Sequence, residues 1–206
     1  MVYFCIAMEI RSNKAEKTKQ FIVEKTAPIF NMKGYAGTSL NDMIQATGLT
    51  KGSIYGNFVN KDDVALAAFD FNLKKVNEVI STEMASRKTF REKLLAYTKV
   101  YENFLEFPFP EGGCPVLYTA VDADDTHPML KQKAADAIMH WKNAIAKLIQ
   151  KGIGNNEFRP DVDPEQIALT IIATIEGAIM ITKLTGKLNY RRAIMGSVEK
   201  LINDLV

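Results

Sequence analysis

The sequence predicts an all-α protein: an N-terminal three-helix module with a helix-turn-helix, then a larger C-terminal helical bundle. Three observations carry this prediction. Apolar residues recur at spacings of three and four along most of the 206 residues, while strand-like alternation is scarce. Capping and breaking residues, among them Gly48, Asn60 and the pair Asp163-Pro164, fall between the periodic segments. The stretch over residues 38–61, TSLNDMIQATGLTKGSIYGNFVNK, reads as two short helices joined by a tight turn, followed by the start of another helix.

A first helix is expected over residues 14–33, with Ile22, Val23, Thr26, Ala27 and Phe30 on one face. Pro28 inside that pattern predicts a kink or an early break, and Gly34 and Gly37 punctuate the exit. Thr38 reads as the N-cap of the second helix, whose apolar face is Leu40, Met43 and Ile44. Gly48 supplies the permissive backbone of the turn, and Thr50 precedes a short helix carrying Ile54, Tyr55 and Phe58. Asn60 caps the next helix, with Asp62 and Asp63 in its first turn as the helix dipole favours. That helix continues through Leu66, Phe69, Leu73, Val76 and Ile80 as a rod towards the body.

In the body, Phe90, Leu94, Tyr97, Tyr101, Phe104 and Leu105 mark a fifth helix, broken by Pro108, Pro110, Gly112 and Gly113. A short helix over residues 115–123 follows. Thr126-His127-Pro128 opens a longer one with Leu130, Ala134, Ile138, Trp141, Ile145 and Leu148 on its buried side, ended by Gly152, Gly154 and Asn155-Asn156. Asp163-Pro164 opens a helix with Ile167, Ile171, Ile175 and Ile179, and the last helix, over residues 190–205, carries Ile194, Val198, Leu201 and Leu205.

Composition narrows the function classes. Apolar residues at 47% suffice for a sizeable core, and the net charge of +2 is too small by itself to argue for nucleic acid. Its distribution says more: residues 11–61 hold 8 basic and 3 acidic side chains, the remainder 18 and 21. A basic N-terminal module on a slightly acidic body fits a phosphate-binding head, the plain alternative being a Lys-rich solvated surface. Two cysteines, Cys5 and Cys114, make no disulfide framework, which points to the reducing cytoplasm. No stretch is read as a membrane span of about 20 apolar residues, so no membrane partner is expected. The opening MVYFCIAMEI lacks a basic leader and is read as an upstream extension of a chain starting at Met8, or as a short packing tail.

The residues Thr38, Asp42, Ala46, Gly48, Leu49, Thr50, Lys51, Gly52, Ile54, Tyr55, Phe58 and Lys61 together resemble the DNA-binding domain of TetR/AcrR-type transcriptional regulators. Two departures stand out. Ile44 replaces a common small Ala, so the two helices of the motif are expected slightly further apart, and Gly56-Asn57 replaces a frequent His pair. The resemblance implies a helix-turn-helix domain over residues 9–61 and a regulatory and dimerisation domain over residues 62–206. It implies a repressor on a double-stranded operator, a homodimer formed by the last two helices, and a small-molecule inducer whose binding shifts the fourth helix. The small residues Ala173, Gly177, Ala178, Ala193 and Gly196 in those last two helices suit close helix approach, within one chain or across a two-fold axis.

The expected DNA contacts are Thr38, Thr50, Lys51, Gly52, Ser53, Tyr55, Asn57 and Lys61. Thr38 would aim helix amides at a phosphate, Asn57 and Lys61 would reach the backbone, and Lys51, Gly52 and Ser53 are nearest the bases. Tyr97, Tyr101, Phe104, Tyr118, Trp141 and Met180 are candidates to line a pocket for an apolar or aromatic molecule, against the plainer reading that they are core. Cys114, after Gly112-Gly113 and before Pro115, falls at a helix N-terminus, where a thiolate is favoured, in a loop expected to leave it accessible. It resembles the sensor cysteine of a subset of these regulators that respond to electrophiles or oxidants, and that resemblance places Lys183 near it.

Two other function classes compete for the same residues. A cysteine-dependent enzyme would pair Cys114 with His127 or His140, and Asp122, Asp124, Asp125 and His127 would suggest a metal. Two histidines are a thin basis for either, and no nucleotide or hydrolase motif is present. No enzyme activity, metal or cofactor is therefore expected. A helical adaptor binding protein through the same motif is the remaining alternative, which the basic head disfavours.

Overall fold

The computed structural model describes residues 2–103, 107–123 and 127–206, with side chains from residue 14 onward. Phe104, Leu105, Asp124, Asp125 and Thr126 lie outside the described residues. Among those described there are nine helices and no strand: α1 (Val2–Gly37), α2 (Leu40–Thr47), α3 (Lys51–Tyr55), α4 (Lys61–Ala85), α5 (Phe90–Glu102), α6 (Pro115–Asp122), α7 (Pro128–Gly154), α8 (Pro164–Thr185) and α9 (Leu188–Asn203).

Contacts divide the chain into two compact units, Met1–Leu73 with Pro110–Lys131, and Lys74–Phe109 with Gln132–Val206. This differs from the expected cut at residue 61, which followed chain order. The segment holding α6 joins the N-terminal unit because α1 binds it directly: the Asn31 amide donates to the carbonyls of Glu111 (2.6 Å) and Gly113 (2.9 Å).

In the first unit, Ile22, Ala27, Phe30, Met43, Ile54, Val64 and Phe69 form the core. Helix α1 runs through Pro28 and breaks instead at Gly34, whose left-handed φ of 73° only glycine adopts freely. The N-cap of α2 is Ser39, not Thr38. Ser39 Oγ accepts the Asp42 N–H at 3.1 Å and the Asp42 carboxylate accepts the Ser39 N–H at 2.8 Å, a reciprocal capping box. Thr38 is fully buried and its hydroxyl donates to the Gly34 carbonyl at 2.7 Å. Gly48 closes α2 in the left-handed conformation, its N–H on the Ile44 carbonyl at 2.8 Å. Asn60 caps α4 as expected, its side-chain oxygen accepting the Asp63 N–H at 2.9 Å.

In the second unit, Leu94, Val100, Trp141, Ile145, Ile171, Ile175, Met195 and Ile202 are buried. The Trp141 indole N–H donates to Asn77 at 2.9 Å, the polar partner a buried tryptophan needs. Glu157 accepts the N–H groups of Phe90 (2.9 Å) and Arg91 (2.6 Å), adding to the Thr89–Glu92 capping box of α5. Helix α7 ends at Gly154, with Asn155-Asn156 following in a turn as expected, and Gly152 lies in its last turn. The sequence reading that no stretch approaches a membrane span also needs correction. Helix α8 is long and apolar enough by length and composition, with a mean hydropathy of 1.8 over 18 residues. Its apolarity has two sources: a buried face carrying Ile171, Ile175 and Ile179, and an exposed stripe of Leu169, Ala173, Met180 and Leu184.

Candidate nucleic-acid interface

Helix α3 is only five residues long, so its geometry depends on its caps and on what lies beneath it. Thr50 is the N-cap, its hydroxyl accepting the Ser53 N–H at 3.2 Å. Ile54 is fully buried against the unit's core, and the Asn57 amide donates to the Ser53 carbonyl at 2.8 Å, closing the far end. The first turn therefore projects outward: Lys51 and Gly52 are exposed and Ser53 half-buried. A Cβ on Gly52 would meet only the Thr50 hydroxyl, at 3.9 Å, so this side of the turn is open to close approach by a ligand.

Electrostatics suit a polyanion here. Asp42 is the only acidic residue in residues 38–61, and Lys33 pairs with it at 2.6 Å. That ammonium, with the Ser39 hydroxyl and N–H, holds the Asp42 carboxyl well below the usual carboxylate range. The charge that would repel phosphate is thus neutralised locally.

Tyr35 is the junction behind the motif. Its hydroxyl donates to Asp62 in the first turn of α4, and that hydrogen bond, followed by burial, raises its pKa to about 12. The Lys61 ammonium sits 4.3 Å from the Tyr35 ring centroid, and the buried His127 ring meets it edge-on at 4.5 Å. His127 Nδ1 accepts the Leu130 N–H at 3.2 Å, making His127 the cap of α7, and its Nε2 lies 3.8 Å from Asp62.

Among the expected DNA contacts, Thr50, Lys51, Gly52, Ser53, Tyr55 and Asn57 thus sit on or beside α3. Lys61 is half-buried over Tyr35, and Thr38 is buried behind α2, where it cannot face a phosphate. Sequence reasoning missed Ser39, Lys33 and Tyr35, and placed Asp62 in the first turn of α4 without its partner Tyr35. The Ser39-x-x-Asp42 spacing was a readable capping signal. The other pairings join distant positions and leave no local signature.

The candidate pocket residues are divided. Tyr97, Tyr101 and Trp141 line one cavity with Ile145, Ile172, Ile175 and Glu176, but its volume of about 10 Å³ leaves no room for an organic ligand. Burial pushes the Tyr97 hydroxyl well above the usual tyrosine range. Tyr118 belongs to the first unit, lining a cavity of about 30 Å³ with Asn31, Tyr35 and Asp122. Met180 is on the exposed stripe of α8. A roomier cavity of about 300 Å³ is bounded by Lys75, Val79, Thr82, Phe107 and Pro108. Cys114 caps no amide with its side chain and is fully buried, contrary to the accessible thiol expected from its glycine-rich loop. It lies in the first unit and the exposed Lys183 in the second. Among the described residues no three His, Cys, Asp or Glu side chains are grouped to hold a metal.

Comparison with known proteins agrees with this geometry. Residues 22–68 match the family described as bacterial regulatory proteins, tetR family, and residues 91–198 the one described as tetracyclin repressor-like, C-terminal domain. The chain is 49% identical to a TetR-family transcriptional regulator from Cytophaga hutchinsonii, with 93% of this chain and 96% of that one covered and a TM-score of 0.90. A TetR transcriptional regulator from Chloroflexus aurantiacus is 38% identical, with 94% and 98% covered and a TM-score of 0.89. An uncharacterized HTH-type transcriptional regulator in the lacX 3' region of Lactococcus lactis is 27% identical over 184 residues, 84% of this chain and 86% of that protein.

Proposed function

The chain belongs to the TetR family of DNA-binding transcriptional regulators, and from that premise we propose that it is a homodimeric repressor of a palindromic operator. The observation that carries this reading is the first turn of α3. It is capped at Thr50, anchored by buried Ile54, and presents Lys51, Gly52 and Ser53, while the one acidic residue of the motif, Asp42, is paired with Lys33. Such a turn suits entry into a major groove, with Lys51 on phosphate or a base edge and the Gly52 backbone approaching closely. A DNA-binding regulator of this kind works in the cytoplasm, where the chromosome is.

Dimerisation is supported by α8. Leu169, Ala173, Met180 and Leu184 follow at helical spacing and are exposed, and Leu184 is 81% exposed. Across a two-fold axis this stripe would be buried, with exposed Ala193 and Gly196 of α9 permitting close approach. Two recognition helices related in this way read half-sites about one turn of DNA apart. The inducer is either a small apolar or aromatic molecule held by the second unit, or an electrophile or oxidant at Cys114. Burial of that thiol favours the first.

The test is selection of bound sequences from a random double-stranded pool by purified protein. An enriched palindrome, bound with affinity that falls steeply with salt as counterions are released, is the expected result. No enrichment, with Lys51→Ala binding DNA as well as the unaltered chain, would overturn the reading.

A further inference from the structure

Helix α1 breaks one turn before the helix-turn-helix, and groups from residues 111–122 occupy the break. In an uninterrupted helix the Tyr35 N–H would donate to the Asn31 carbonyl. Gly34 is non-helical (φ 73°, ψ 179°), and the Tyr35 N–H donates instead to Asp122 Oδ2 at 2.7 Å. One turn back, the buried Asn31 side chain donates to the carbonyls of Glu111 and Gly113, on the N-terminal side of α6. A Cβ on Gly112 would lie 2.9 Å from the Asn31 carbonyl oxygen, and one on Gly34 would lie 2.8 Å from the Asp122 carboxyl carbon. Helix α6 is therefore bolted to the end of α1 at both of its ends, with no room for a side chain at either joint.

From this break the path to the DNA-reading turn is short. The Gly34 carbonyl accepts the Thr38 hydroxyl, Ser39 next to it caps α2, and α2 leads through Gly48 into α3. Tyr35 itself reaches Asp62 at the start of α4. The adjoining cavity, about 30 Å³, has room for a water or two and not for an organic inducer, so a small-molecule inducer would act on this joint from elsewhere.

We infer that Asp122 is a positioning residue for DNA reading: its carboxylate on the Tyr35 N–H holds the break in α1 that aims α2 and α3. This rests on the proposed reading of DNA by α3 for its consequence, but not for its geometry. Two measurements on the full-length chain separate the two. The first needs no DNA. Asp122→Ala should speed amide hydrogen exchange at Tyr35 and through residues 38–55 by about tenfold, as expected for a lost charge-assisted hydrogen bond, while α8 exchanges as before. Asp122→Asn, which keeps an acceptor oxygen, should restore most of the protection. The second compares the selected operator with random-sequence DNA. Asp122→Ala should lower operator affinity by about tenfold or more and leave affinity for random DNA within about twofold, because phosphate contacts survive a mis-aimed helix. Unchanged exchange over residues 35–55 overturns the inference, whatever the DNA result. Equal losses on both DNAs also overturn it, since that marks general loss of folded protein. Loosened exchange in Asp122→Ala without any sequence selection by the unaltered chain would support the positioning role and sink the DNA-reading proposal.

Discussion

Replacing Gly152 by Ala sets two known effects against each other. Gly152 lies in the last turn of α7, where Ala should stabilise a helix by about 1 kcal/mol over Gly. Yet a Cβ there would fall 2.1 Å and 2.2 Å from Cδ2 and Cε2 of Phe158. Carbon atoms pack at about 3.5–4.0 Å, so the ring would have to retreat by well over 1 Å. It has little freedom to do so. Phe158 is 4% exposed, and its own N–H and that of Glu157 both donate to the Gly152 carbonyl, at 3.3 and 2.8 Å. The next residue is tied as well, the Arg159 N–H donating to Leu205 at 2.8 Å. Overpacking against a fixed ring costs about 1–3 kcal/mol, and a contact this short belongs at the upper end. The net expectation is destabilisation by about 2 kcal/mol, or a drop in Tm of roughly 4–8 °C for a chain of this size. Thermal unfolding followed by circular dichroism reads it directly. Adding Phe158→Leu should recover part of the loss, so the two changes together should cost less than their sum. A Gly152→Ala protein as stable as the original would show that helix propensity outweighs the clash, and would refute the reasoning.

Other expectations follow from the same structure. Lys51→Ala should weaken operator binding about tenfold and flatten the salt dependence by about one phosphate contact per half-site, with Tm unchanged because Lys51 is exposed; wild-type affinity and salt slope would exclude it from the interface. Met180→Glu with Leu184→Glu places four like charges across the proposed two-fold axis. Light scattering should then show monomer where the unaltered chain gives dimer, and persistence of the dimer would move the interface elsewhere. Asp42, Glu83 and Glu92 are held below the usual carboxylate range by Lys33, by Lys99 with Arg87, and by the N–H groups of Thr89 and Lys88. Their folded pKa values are depressed, so their stabilisation is complete above the unfolded value near about 4 and is lost as pH falls through the folded values. Tm should fall as pH drops below about 4, and Asp42→Asn should show less of that fall; a Tm flat to pH 3 would contradict the assignment.

What was legible in the sequence was what one helix writes into its own residues. Periodicity and caps placed α2, α4, α6 and α8 to within a residue or two at their starts, and the motif from Thr38 to Lys61 carried both fold and family. What was not legible depended on partners far along the chain. Thr38 and Ser39 are both plausible caps, and the choice was made by Asp42 three residues on and by the Gly34 carbonyl, which took the Thr38 hydroxyl. Pro28 looked like the place for α1 to break, but a proline costs a helix one hydrogen bond, which continued packing offsets. The break came at Gly34, where residues some 80–90 positions later in the chain supply the replacement partners. Gly152, Gly154 and Asn155-Asn156 marked the end of α7, which falls at Gly154, but nothing near Gly152 showed that its missing side chain makes room for Phe158. Cys114 looked accessible from its flanking glycines, yet those glycines have left-handed φ values of 90° and 103° that fold the loop down onto Asn31 and bury the thiol. At Thr38, Pro28 and Cys114 the residue type was informative and its usual reason was not, because a long-range contact decided between local options of similar energy. The same holds for the joint between α1 and α6. Nothing in Asp122 or Gly34 alone marks them as a pair, and only the fold shows that a carboxylate from one segment completes a helix turn in another.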